Sequence, residues 1–302
     1  MRRPAATWLL ALCGATGWGH THATVADPAP TPCRVAGVPH EVRCGHVSRP
    51  LDPAAPQGAR INVHYVVIPA KARHKRPDPV VLLAGGPGQS AIELAPQAMV
   101  LFARLNNRRD VVLVDQRGTG RSAPLTCPEP EAGSLSHEAD AEWQIQQLMQ
   151  CREQLAQRAP WGHADGLRFF TTVLASQDLD AVRQALGAPR LNLVGGSYGT
   201  RAALDYLRQF PRAVRRVVLD GVAPPDMALP ASLSRDGQAA FDALLAACEA
   251  EPDCAARHPR LRTHWATLLA SLPREVTLTD PRTGTPRRQT LTRSTVLAAV
   301  RG

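Results

Sequence analysis

Leu193-Val194-Gly195-Gly196-Ser197-Tyr198-Gly199-Thr200 places Gly-x-Ser-x-Gly directly after an apolar run, Leu191–Val194, and directly before a helical pattern, Arg201–Gln209. A serine held on a sharp strand-to-helix turn needs this composition, because flanking glycines let the two backbones pass without β-carbon clashes. The helix N-terminus behind it aims N–H groups at developing negative charge. An ordinary glycine turn is the plain alternative. The strand before and the helix after favour a nucleophile elbow, with Ser197 as the attacking group.

Two further motifs precede the elbow. Ala84-Gly85-Gly86-Pro87-Gly88-Gln89-Ser90 follows the run Val80–Leu83. A glycine-rich loop there can turn the N–H of Gly86 toward the serine as half of an oxyanion hole, the N–H of Tyr198 being the other half. A phosphate-binding loop is the competing reading, but no Gly-Lys-Ser/Thr follows and the Gly-x-Gly-x-x-Gly spacing is absent. Asp115-Gln116-Arg117-Gly118-Thr119-Gly120-Arg121-Ser122 follows the run Val111–Val114. We read Asp115 and Arg117 as support for the glycine loop, together with Gly85, Pro87 and Gly88. Asp178, Asp180 and Arg183 read as surface or framework ion pairs.

The apolar runs at 80–83, 111–114, 191–194 and 217–219 have the form of strands buried on both faces of a parallel sheet. Another strand is expected at Ile61–Ile68, after a Pro-rich, weakly patterned stretch over 27–60. Helical periodicity falls at Ala91–Leu105, Glu138–Gln157, Leu174–Leu186 and Arg201–Gln209, between the strands, which argues for an α/β fold. After Pro224-Pro225 the pattern turns helical, with Phe241, Leu244, Leu245 and Cys248 on one face of Asp236–Ala250. Glu275–Thr292 reads as a polar hairpin turning at Asp280-Pro281 and Thr283-Gly284.

Composition excludes several classes. The 302 residues, 44% hydrophobic and 20% charged, suit a globular chain, and no apolar run reaches the ~18 residues of a membrane helix. The formal charge of +9 rests on 35 bases of which only Lys71 and Lys75 are lysine; they are scattered, among just five Phe, five Trp and three Tyr. A nucleic-acid footprint is a basic stripe interleaved with stacking aromatics, so no nucleic-acid partner is expected.

Met1-Arg2-Arg3, the apolar stretch Ala5–Ala15 and the small residues around Ala23–Ala26 have the order of a secretory signal peptide over 1–26. Its removal takes Arg2 and Arg3 and lowers the charge from +9 to +7. Leu12 before Cys13 does not suit a lipoprotein site. Export implies a periplasmic or secreted protein, and six cysteines then remain. Six allow fifteen connectivities; sequence proximity pairs Cys33 with Cys44, Cys127 with Cys151, and Cys248 with Cys254. Loop entropy gives each about 2–3.5 kcal/mol. Zinc is the rival, but there is no Cys-x-x-Cys and the histidines lie apart from the thiols. No metal and no cofactor are expected.

With these motifs in this order, the chain resembles the α/β-hydrolases of the proline iminopeptidase and tripeptidyl aminopeptidase family. Gly85-Gly86-Pro87-Gly88, the 115–122 segment and Gly195–Thr200 are similar to its three signatures, and Leu219-Asp220-Gly221-Val222 with Pro224-Pro225 is similar to its sixth-strand end. Ala84, in place of the histidine of the compact branch, and the paired cysteines match the secreted tripeptidyl branch. The resemblance implies an α/β-hydrolase fold, a mostly parallel sheet with helices on both faces. The core would span 27–230, with a helical cap after the sixth strand over 231–302. It also implies hydrolysis of peptides with a free N-terminus through an acyl-enzyme on Ser197, with Gly86 and Tyr198 as oxyanion donors.

The family takes its acid and its histidine from loops after the seventh and eighth strands, which this chain, ending at Val300-Arg301-Gly302, does not display. It therefore reads as the N-terminal part of an enzyme, its final strands missing. Of ten histidines, His64 and His163 are the least implausible substitutes, while His258 and His264 fall in the cap. Asp220 reads as structural. Two alternatives stand beside the aminopeptidase: an esterase or lipase on the same scaffold, and an inactive hydrolase-like binding protein. Cap carboxylates that hold a substrate ammonium would separate the first two, and Glu249, Glu251 and Asp253 are the candidates.

Overall fold

The computed structural model describes residues 28–128, 140–158, 164–228 and 231–301. The expected signal peptide and His163 lie outside them. Three of the apolar runs become β4 (Val80–Leu83), β5 (Val111–Val114) and β6 (Leu191–Gly196), with few side chains reaching solvent. With β7 (Val214–Asp220) they run parallel in the order β5-β4-β6-β7. The apolar β4, β5 and β6 need a cover on both faces, and two hydrophobic clusters supply it. One gathers Leu83, Val112, Leu179, Leu193 and Tyr206, the other Val66, Val80, Phe102, Val111 and Leu113. By contrast β7, expected to be buried on both faces, has no buried residue because it is the last strand of the described sheet.

The stretch before residue 60 departs from the expectation of a weakly patterned segment. It holds β1 (Thr31–Cys33) and β2 (Val42–Pro50), which extend the sheet antiparallel through β3 (Arg60–Ile68) to β5. Val42 and Val47, the two buried residues of β2, face opposite sides and go to different clusters. A strand with one anchor per face shows no alternation. The full order is β1-β2-β3-β5-β4-β6-β7, and the strand counted sixth by resemblance is seventh here because β1 is added.

Helices α1 (Ala95–Leu101), α2 (Ala141–Ala156), α3 (Thr172–Ala185) and α4 (Tyr198–Gln209) occupy the expected intervals. The first is shorter than its periodicity, because Pro96 is tolerated only in a first turn. Asp140 caps α2 by accepting from Glu142 and Trp143 N–H, and Thr171 caps α3. After β7 come α5 (Ala231–Ala250), α6 (Pro252–Arg257) and α7 (Leu261–Ala270). The hairpin β8 (Arg274–Thr279)–β9 (Pro286–Leu291) and α8 (Arg293–Arg301) complete the chain. In α5, Leu245 is buried and Phe241 stacks on Trp265, while Leu244 points to solvent.

All three expected disulfides are present: Cys33–Cys44, Cys127–Cys151 and Cys248–Cys254. No helix among the described residues is long and apolar enough to cross a membrane.

Candidate active site

The parallel order brings two loops together. β4 lies between β5 and β6, with Leu83 opposite Gly195. The loops leaving the carboxyl ends of β4 and β6 therefore emerge side by side, at a point where the strand order reverses and α/β sheets open a crevice. One is the glycine loop and the other carries Ser197.

Ser197 sits between the last residue of β6 and the first of α4, with φ 52° and ψ −119°. A non-glycine residue held there costs on the order of 1–3 kcal/mol and persists only where its surroundings over-determine it. Its N–H donates to Asp220 O at 2.8 Å, and its carbonyl accepts from Thr200 N–H and Thr200 Oγ1. Thr200 Oγ1 also accepts from Ala223 N–H, tying the segment after β7 to the same turn. The two flanking glycines are required by contact. A Cβ on Gly199 would lie 2.0 Å from Leu83 O, and one on Gly195 would lie 2.4 Å from Gly199 O. The intervening Gly196 faces open space. Ser197 itself is exposed at the carboxyl edge of the sheet.

Gly85 approaches this turn closely; a Cβ there would be 3.4 Å from Ser197 Cβ. Gly86 has φ +101°, a conformation for which glycine is the default residue. The N–H groups of Gly86 and Tyr198 have no partner among the described residues. Asp115, 1% exposed, fastens the glycine loop from behind. Its Oδ1 accepts from Ser90 Oγ and Ile92 N–H, and its Oδ2 accepts from Arg121 N–H. Arg117, expected to support the same loop, does not bond to it and is committed elsewhere. It forks onto Asp178 at 2.6 and 2.8 Å and donates to Leu51 O and Phe169 O. Asp178, Asp180 and Arg183 are thus framework groups, and the surface half of that reading is set aside for the two buried aspartates. Burial raises the Asp180 carboxyl, yet hydrogen bonds from Arg183, Gln184 and Tyr206 outweigh it and hold the group below the ordinary range.

None of the candidate bases among the described residues hydrogen-bonds Ser197. Three inter-strand steps separate β3 from β6, roughly 14 Å at the usual strand spacing, so His64 is no substitute. His64 instead faces His46 across β2 and β3, with ring centroids 5.5 Å apart. His258 is the C-cap of α6, and His264 lies within α7. Among the described residues, no histidine or carboxylate side chain hydrogen-bonds Ser197 Oγ. Asp220 serves the site through its main-chain carbonyl. Of the three cap carboxylates, Glu249 pairs with Arg262 and Glu251 caps α6. The described residues contain no cluster of metal-ligating side chains.

A strand-ended glycine loop beside a serine elbow, on a sheet of this order, defines the α/β-hydrolase architecture. The alpha/beta hydrolase fold profile matches residues 78–293, and the chain belongs to that family. It is 32% identical over 196 residues to the tripeptidyl aminopeptidase of Streptomyces lividans, covering 62% of this chain and 36% of that protein. Identity to serine protease Hip1 of Mycobacterium tuberculosis is 31% over 214 residues, 65% and 39% of the two chains. Carboxylesterase B of the same species matches at 30% over 225 residues, 70% and 42%. The chain spans 36–42% of the length of these three relatives.

Proposed function

We propose that the protein is an exported serine hydrolase, an aminopeptidase acting on peptides with a free N-terminus through an acyl-enzyme on Ser197. The observation that carries this reading is the elbow itself: an exposed serine in a strained turn, backed by a helix N-terminus and flanked by the glycine loop. In this mechanism Ser197 Oγ attacks the scissile carbonyl and the N–H groups of Gly86 and Tyr198 hold the oxyanion. The tetrahedral adduct then expels the amine, and water releases the acyl group. No described histidine or carboxylate hydrogen-bonds Ser197 Oγ to take its proton. The three disulfides support export, since such bonds persist in oxidising compartments. The likeness to the tripeptidyl aminopeptidase and to Hip1 supports peptide substrates.

An esterase is the second reading. Attack by serine does not choose between ester and amide, one relative is a carboxylesterase, and two of three candidate ammonium-binding carboxylates are engaged elsewhere in their own segment. The test expresses the full natural coding sequence and offers tripeptide p-nitroanilides with free and acetylated N-termini beside short p-nitrophenyl esters. The aminopeptidase reading expects turnover of the free anilide and at least a tenfold loss on acetylation. Turnover of esters alone would transfer the assignment to the second reading.

A further inference from the structure

A cleft of about 530 Å³ lies on the β5 side of Ser197, bordered by Pro87 and Gly88 of the glycine loop and by Tyr198. Leu125 and Phe170 are among its lining residues. Both pack over Gly118, where a Cβ would stand 3.1 Å from Phe170 and 3.3 Å from Leu125. We propose that this cleft receives the side chain of the acyl residue, the one whose carbonyl is attacked, and that it selects an uncharged, apolar one. The inference rests on the serine-hydrolase reading above.

The side is fixed by proton traffic. A carbonyl whose oxygen sits between Gly86 and Tyr198 has two substituents, the acyl residue and the leaving group. The base that removes the serine proton later gives it to the leaving atom, so the leaving group faces the base. Among the described residues that line the cleft there is no histidine, aspartate, glutamate or lysine. Arg117, the one ionic residue among the described lining, is buried and spent on Asp178 and two carbonyls. No described residue on this side offers a base to Ser197, and on that ground the cleft is assigned to the acyl residue. The selectivity follows from the same inventory. The hydroxyls of Tyr198 and Thr172 satisfy one another at 2.7 Å, and Thr119 Oγ1 donates to Gln116 O. An ammonium or carboxylate entering the cleft would meet hydroxyls and amides but no free countercharge among the described lining residues, whereas an apolar side chain gains contact with Leu125 and Phe170.

The experiment uses protein expressed from the full natural coding sequence and a tripeptide p-nitroanilide series varied only at the acyl residue: Gly, Leu, Phe, Asp and Lys. Leu or Phe is expected to exceed Asp and Lys by about 100-fold in kcat/KM, and Gly by about tenfold or more. Leu125→Asp is expected to move the ranking toward Lys by at least tenfold. Phe170→Leu, which keeps the packing apolar, is expected to lower the Phe substrate against the Leu substrate. Labelling of Ser197 by a small fluorophosphonate confirms that each variant is folded at the elbow. An unchanged ranking in labelled variants, or a wild type that favours Asp or Lys, overturns the inference and leaves the serine-hydrolase reading standing. A wild type that neither turns over nor labels at Ser197 overturns that reading and the inference with it.

Discussion

Asp178 and Arg117 show what single side chains contribute. Asp178 is 1% exposed and accepts both forks of Arg117 together with Arg49 Nε at 3.1 Å. Removing one partner of a buried pair leaves the other charge uncompensated, which costs about 3–5 kcal/mol. Asp178→Ala is therefore expected to lower the urea unfolding free energy by about that amount. Asp236→Ala, which breaks an exposed pair with Arg235, serves as the control and should change little. Equal effects would contradict the assignment of Asp178 to the framework. His64 gives a second test. Burial, then His46 and Arg121, push its imidazole below the ordinary histidine value, against a smaller opposing pull from Asp115. The folded state then binds this proton less readily than the unfolded chain. Its contribution to stability is complete above about pH 6.5 and is lost as pH falls through the lowered folded value. His64→Gln is expected to flatten the fall in melting temperature between pH 7 and pH 5, and an unchanged fall would remove His64 from that role.

At the scale of elements, the junction of β6 and α4 is held by the absence of two β-carbons. Gly199→Ala drives a methyl onto the main chain of Leu83, whereas Gly196→Ala meets nothing within 4 Å. The first is expected to unfold at much lower urea or fail to accumulate soluble, and the second to stay within about 1 kcal/mol of wild type. The reverse order would mean that the glycines serve some other purpose. This steric demand is why the elbow was legible in the sequence: few other residue patterns survive at that crossing. β4, β5 and β6 were legible because burial on both faces makes each a continuous apolar run. β2 was not, because Val42 and Val47 are spread one to each face among half-buried polar residues. The partner of Arg117 was not either, since Asp178 is 61 positions away and only the fold joins them. Leu125 and Phe170 are single apolar residues in loops, on no periodic element, and nothing local marks them as a pocket wall. The cysteines were easier, because each pair closes a short loop, the longest 24 residues.

At the scale of the molecule, β7 is the last strand of the described sheet, and Val218 on it is 56% exposed. An edge of unpaired N–H and C=O groups beside exposed apolar side chains invites strand addition, although the exposed Arg216 places a charge on its first half. A preparation of residues 27–302 is expected to self-associate, with light scattering rising as concentration rises. Val218→Lys should reduce that association; a monodisperse monomer at all concentrations would contradict it. The crevice, the glycine loop and the strained turn all converge on the hydroxyl of Ser197. The direct measurement is fluorophosphonate labelling of protein expressed from the full natural coding sequence, with the adduct located by peptide mass spectrometry. One modified serine is expected, Ser197, with loss of both adduct and hydrolysis in Ser197→Ala. A stable adduct on another serine, with hydrolysis undiminished in Ser197→Ala, would contradict it.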